Sequence, residues 1–336
     1  MTMNRQFRPV TLTALAAATL LVAGCGSGVA SGDSEDVADR ERLAVQNCDR
    51  EVVVHGVPDA VVGMHPSQTE LLLRLGVADR LVGQAQATTH ALPDDVADLA
   101  ADVPLLAGLT PPSREDLLAV EPDFVYSPTT YEFTAEQGFA SIEQLEQAGA
   151  SVYVATGGCF DRRSSGEVTD LFTDIENLGE IFDVPDTADD LIAEARSELA
   201  AVASAIEDED RLRVAQVYVE GTTLSAIGAG VEYDILRLAG ADNVYGPDQP
   251  AFADFFAATI TPESLAAEQP DALVFSVYDD AHEAAVREYL TTTFPELPAV
   301  QEGRLIAVSS SDVFPGTLGN VRIVRDIAEQ LYPDAF

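Results

Sequence analysis

Cations and aromatic rings are the scarce chemical resources of this sequence, so their positions limit what it can do. All 18 basic residues are arginines, set against 57 acids, for a net charge of −39. Arg162 and Arg163 stand side by side. A guanidinium pairs with carboxylate, phosphate or hydroxamate oxygens, so this pair suits an anionic chelate. Adjacent side chains diverge, so at most one of the two faces a shared cavity, and Asp161 and Glu167 compete for either. His65, His90 and His282, with Asp279 or Glu132, offer the donor types of a Zn²⁺ or Mn²⁺ site, which needs three or four converging ligands. Tyr131 or a histidine is the kind of residue that ligates haem iron axially. Each lone histidine also has a plain structural reading, and no protein metal site is assigned. The three cysteines, Cys25, Cys48 and Cys159, form no Cys-x-x-Cys pair.

The signatures of common enzymes are absent. There is no Gly-x-Ser-x-Gly, no Gly-x-x-x-x-Gly-Lys and no His-Glu-x-x-His. Gly228-Ala229-Gly230 has Tyr233 where a dinucleotide fingerprint needs its third glycine. The reading is therefore not an enzyme. Nucleic acid is excluded as a partner, because phosphate binding requires clustered cations.

Apolar runs and helical patterns alternate along the chain, the mark of an α/β protein. Strands are expected at Ala60–Met64, Leu81–Gly83, Asp123–Ser127 and Ser151–Ala155, then at Arg213–Val219, Ala272–Ser276 and Leu305–Val308. Helices are expected at Gln68–Leu75, Val168–Phe182 and Gly319–Leu331. Thr187–Ile206 reads as a long amphipathic helix after the break at Pro185, and at 1.5 Å per residue it spans about 30 Å. The halves echo one another. Leu73–Gly83 aligns without gaps on Leu236–Gly246, with six of eleven positions identical. Ser113-Arg114-Glu115-Asp116-Leu117 with Pro122-Asp123 matches Thr261-Pro262-Glu263-Ser264-Leu265 with Pro270-Asp271. In each copy a hydroxyl N-cap starts a short helix with Glu in its first turn, where the dipole favours an acid. The expected architecture is two α/β lobes with mainly parallel sheets, joined by a single long interlobe helix.

The N-terminus carries a processing signal. Arg5 and Arg8 precede the 14-residue run Val10–Ala23, too short for a comfortable membrane span. The ending Val22-Ala23-Gly24-Cys25 resembles the bacterial lipobox, which implies a signal peptide over 1–24 and acylation of Cys25. Residues 25–42 are small, polar and acidic and read as a flexible tether. With Cys25 acylated, Cys48 and Cys159 remain as an even pair outside the cytoplasm, and a disulfide between them is expected.

Val61-Val62-Gly63-Met64-His65-Pro66-Ser67-Gln68-Thr69-Glu70-Leu71-Leu72, the stretch Leu75–Gly83 and Leu117–Val125 resemble the helical-backbone solute-binding proteins of ABC importers. That family serves ferric siderophores, haem and cobalamin. The resemblance runs from about Val52 to Pro333. It implies an N-terminal lobe over 43–166, an interlobe helical segment over 167–210 and a C-terminal lobe over 211–336. The ligand would lie between the lobes, most readily a ferric-siderophore chelate, with haem or a corrinoid as alternatives and no intrinsic cofactor. Partners would be an ABC permease dimer with its ATPase, met by Glu115 and Glu263 as docking acids, and a membrane held through the lipid. In open α/β sheets ligands bind beyond the carboxyl ends of the strands. That rule selects His65, His90, Tyr131, Phe133, Phe160, Arg162 and Arg163 in one lobe, and Phe252, Phe255, Tyr278 and Phe314 in the other, as cleft candidates.

Overall fold

The computed structural model describes residues 42–336; the expected signal peptide, Cys25 and the tether up to residue 41 lie outside the described residues. β1 (Arg42–Asn47) and β2 (Arg50–His55) form an antiparallel hairpin. It turns at Cys48 and Asp49, both in the left-handed region at φ 50° and 56°. The first lobe then runs β3 (Val61–Gly63), α1 (Pro66–Arg74), β4 (Leu81–Ala85), α2 (Asp94–Ala97), β5 (Leu105–Ala107), α3 (Arg114–Ala119), β6 (Phe124–Ser127), α4 (Ile142–Ala148) and β7 (Ser151–Val154). Its sheet has the order β5-β4-β3-β6-β7, every pair parallel. Every residue of β3 and β6 is buried, as expected of strands covered on both faces.

Two helices follow, α5 (Asp170–Ile181) and α6 (Pro185–Ala205). Asp183 at φ 56° separates them. Pro185 takes the first position of α6, where its missing N–H leaves nothing unsatisfied. The second lobe continues with β8 (Leu212–Glu220), β9 (Thr223–Ile227), α7 (Gly230–Leu238), β10 (Ala241–Asn243), β11 (Ala257–Thr259), α8 (Pro262–Glu268), β12 (Ala272–Val277), α9 (Asp280–Thr293), α10 (Pro298–Gln301), β13 (Leu305–Ser309) and α11 (Gly319–Leu331). Among these helices none is long and apolar enough to cross a membrane.

The sequence repeat is a topological repeat. β10-β8-β12-β13 runs parallel in the order of β4-β3-β6-β7. The second lobe adds antiparallel β9 and β11, so its sheet is mixed. The repeated Pro-Asp has the same task in both halves. Asp123 accepts hydrogen bonds from the backbone N–H of Asp59 and Ala60, each 2.9 Å, just ahead of the central strand β3. Asp271 accepts from Arg213 N–H at 2.9 Å near the start of the central strand β8. Each aspartate also returns its own N–H to that strand, to Ala60 and Arg213 respectively.

One apolar core runs through both lobes on the helical side, taking in Phe124 and Tyr126, Ile175 and Leu178, Ile192, Ile235, Val324 and Ile327. Two smaller clusters line the opposite face of each sheet. The hairpin β1–β2 is sewn to β7: Asn47 exchanges two side-chain bonds with the Val154 backbone, and a Cys48–Cys159 disulfide links its turn to the loop beyond β7.

Because the two aspartates do one job, Asp123→Ala and Asp271→Ala should each lower unfolding stability by about 1 kcal/mol, the worth of a lost hydrogen bond. Urea denaturation checks this, and an unaffected half would break the equivalence.

Candidate functional site

The carboxyl ends of the two sheets face each other, and the β13–α11 loop crosses the strand ends of the first lobe. His90 meets Ser309 Oγ at 3.3 Å. The His65 and Phe314 rings lie 4.5 Å apart. Gln68 Nε2 donates to Pro315 O at 3.0 Å, and Tyr126 OH donates to Gly316 O at 2.9 Å. Gly316 has φ 72°, and a Cβ there would fall 2.6 Å from Tyr126 Oη, so only glycine lets this crossing close. Beside it Glu70, almost fully buried, holds Arg74 from its own helix and Arg322 from the other lobe.

Four aromatic candidates are exposed on the facing strand ends. Tyr131 is 55% exposed, Phe160 86%, Phe255 52% and Tyr278 39%. Phe314 is half-buried against His65. Phe133 and Phe252 do not join them. Phe133 is buried with Val62 and Met64, and Phe252 lies beneath Gly228, where a Cβ would meet its ring at 2.6 Å. Both anchor their loops from below. Leu109, 73% exposed beyond β5, stands among the strand-end residues but was not selected. Its strand is three residues long and leaves no periodic trace.

The histidines serve structure. His65 is the N-cap of α1, its Nδ1 facing Ser67 N–H at 3.4 Å and Ser67 Oγ at 2.7 Å. Burial, then the neighbouring His90, pushes its pKa down to about 3, so it stays neutral. His282 sets Nε2 2.9 Å from Val219 O and lies flat under Tyr278 at 3.9 Å, a platform for that ring. Among the described residues no three His, Cys, Asp or Glu side chains converge as a metal site.

The adjacent arginines diverge. Arg162 donates to both oxygens of Asp170, at 2.7 and 2.8 Å, so its partner is neither Asp161 nor Glu167. Arg163 lies over the Phe256 ring of the other lobe at 4.2 Å. Burial holds its pKa below the ordinary value, opposed by Glu232 and Glu132. Glu132 is itself buried, accepts from Thr129 Oγ at 2.6 Å, and has its pKa raised by burial. Burial pushes Glu232 up to about 7. On the strand-end loops the exposed charges are acids: Asp161, Glu220, Asp254, Asp279 and Asp280.

Glu115 and Glu263 occupy matching places, exposed in the first turns of α3 and α8. Their N-caps, Ser113 and Thr261, accept from Asp116 N–H and Ser264 N–H, each at 3.2 Å. Backbone and Thr261 hydrogen bonds hold the Glu263 pKa below the ordinary value.

The periplasmic binding protein family profile matches residues 61–311. The chain belongs to this family. It is 24% identical over 330 residues to the uncharacterized ABC transporter substrate-binding lipoprotein YvrC of Bacillus subtilis, covering 96% of each chain. It is 18% identical over 275 residues to the vitamin B12-binding protein of Vibrio campbellii, covering 82% of this chain and 90% of that one. The crystal structure of an ABC-type Fe³⁺-hydroxamate transport system from Saccharomonospora viridis superposes with a TM-score of 0.70 at 26% identity, over 86% of this chain and 98% of that one.

In this periplasmic binding protein a buried acid supports the crossing. Asp174 accepts from Tyr153 OH at 2.9 Å, Thr156 Oγ at 2.6 Å and Thr156 N–H at 2.9 Å, and burial pushes its pKa up to about 7. Its folded pKa lies above the ordinary value of 3.8. Its contribution is therefore full at low pH and is lost as pH rises from about 4 through about 7. Asp174→Asn should lose less stability than the native chain between those pH values, as read by urea denaturation at each. Identical losses would remove Asp174 from the account.

Proposed function

We propose that this protein is the extracytoplasmic, lipid-anchored substrate-binding component of an ABC importer and that it captures a ferric chelate of neutral or positive overall charge. The observation that carries the reading is the placement of Tyr131, Phe160, Phe255 and Tyr278, exposed on facing strand ends of two lobes. Aromatic faces suit a bulky, partly apolar chelate. The charge assignment follows from the arginines. The adjacent Arg162-Arg163 suits an anionic chelate, yet Arg162 is paired with Asp170 and Arg163 is part-buried over Phe256 in the field of Glu132 and Glu232, leaving acids as the exposed charges of the strand-end loops. The ferric-hydroxamate likeness supports iron.

A corrinoid is the second reading, favoured by the vitamin B12-binding relative and by the same aromatic faces. Haem fits less well, because its two propionates would meet carboxylates with no exposed arginine on the strand-end loops. Glu115 and Glu263 are assigned to permease docking from their matching exposed positions, and Cys25 to acylation.

Calorimetry with a neutral cyclic ferric trihydroxamate, cyanocobalamin and haemin tests the ligand class. The ferric complex should bind, and Tyr131→Ala with Phe255→Ala should weaken it by at least about tenfold, about 1.4 kcal/mol. Preferred binding of haemin would overturn the charge assignment. Glu115→Ala with Glu263→Ala should leave affinity within about threefold yet abolish most ligand-stimulated ATPase of the cognate transporter, since rim charges orient partners.

A further inference from the structure

A second feature of the seam is a cavity of about 370 Å³ between the two lobes, lined by His90, Leu92, Asp94, Ser311, Asp312 and Arg322. It opens between the loops that follow β4 and β13, two of the strand-end loops of the cleft. Its hydrogen-bonding capacity is unevenly used. Glu70 at its wall is spent, with Oε1 accepting from Arg74 and Arg322 and Oε2 from Arg322. Arg322 also reaches Asp312 Oδ1 at 3.1 Å. Asp312 Oδ2 and the Asp94 carboxylate accept no side-chain donor other than these among the described residues. Independently of those acids, Ser311 is 4% exposed and its buried Oγ has no hydrogen-bond partner. A buried hydroxyl left unmade is costly, so such a group marks a place where a ligand atom is worth more than in water.

Taking the cleft as the ligand site, we propose that this cavity is its subsite for an organic ammonium group, the aminoalkyl arm of the transported chelate. The unspent groups are oxygen acceptors, and half-buried Arg322, already shared with Glu70, neutralises only part of the surrounding carboxylate charge. A primary ammonium brings three donors, enough for Asp312 Oδ2, Asp94 and Ser311 Oγ. Its methylenes would run along Leu92 and the neighbouring Pro66 and Pro93. An anionic or acceptor-only arm would be repelled by the same lining.

The test uses the arm alone. Calorimetry or saturation-transfer NMR of the folded chain with 1,5-diaminopentane should give one saturable site below about 10 mM, at least tenfold tighter than 1,5-pentanediol or glutarate. Asp94→Asn with Asp312→Asn should weaken the diamine at least tenfold. Ser311→Val, which fills the space and leaves every charge in place, should do the same. Unsaturable binding, equal binding of the diol, or diamine binding that survives both variants would overturn the subsite, the last by revealing general attraction to an acidic surface. The parent reading is scored separately by the neutral cyclic ferric trihydroxamate, which has no such arm. Its failure to bind the unaltered chain beside a saturable diamine site would sink the ferric reading alone.

Discussion

A single apolar core shared by both lobes is the constraint from which the rest of the molecule follows. α5, α6 and α11 bury side chains that belong to neither lobe alone, so Ile192 and Ala195 on α6 are packed in one cluster with Phe124 of the first sheet and Val324 of the last helix. A close-packed interior responds to displacement as a solid does, not as a fluid. Wide opening about α6 would have to tear this cluster, which makes large hinge swings expensive. Lobes held in this way would meet a ligand between them nearly as they stand, so a cleft there must be built in advance.

That explains the character of the seam on the other side of α6. Where the β13–α11 loop crosses the first lobe, the bonds are from Gln68 and Tyr126 to backbone carbonyls of Pro315 and Gly316, neutral groups with fixed directions. Glu70 adds charge, but as a buried carboxylate with an arginine from each lobe it gains geometry more than energy, because desolvation offsets much of its Coulomb attraction. The seam thus specifies one relative placement of two rigid units. Gly316 records the same demand in the backbone, since its left-handed conformation and the tyrosine oxygen above it leave no room for a side chain.

How much of this could be read beforehand follows from what each feature asks of the sequence. The duplication was legible because its parts require particular side chains: a hydroxyl N-cap, an acid in the first turn, and an aspartate to bond the start of the central strand. The interlobe helix was legible from its length and from the break at Pro185, although it begins at that proline and not at Thr187. By contrast β5, β10 and β11 have three residues each, too few for a period, and antiparallel β9 and β11 on an otherwise parallel sheet have no signal of their own. The strand-end rule selected loops but could not say which way a ring points. Phe252 and Phe255 are three apart, and only the second is exposed, because Gly228 gives the first a place to lie. Two of the histidines are turned by their local structure for a related reason. His65 faces the first turn of the helix it caps, and His282 turns one nitrogen to a strand carbonyl.

The charge of the chain links the cleft to its surroundings. With 57 acids and 18 arginines, most cations are committed: Arg74 and Arg322 to Glu70, Arg162 to Asp170, Arg163 to a ring. An anionic ligand approaching such a surface meets a repulsive potential that salt only partly screens. A free arginine deep in the cleft would have to overcome that field; of the two arginines on the strand-end loops, Arg162 is paired with Asp170 and Arg163, stacked on Phe256, lies in the field of Glu132 and Glu232. On the proposed reading selectivity would rest on exclusion as much as on attraction. Aromatic faces would accept a bulky chelate of the right shape, while the carboxylates exposed on the same loops would repel one that carries negative charge.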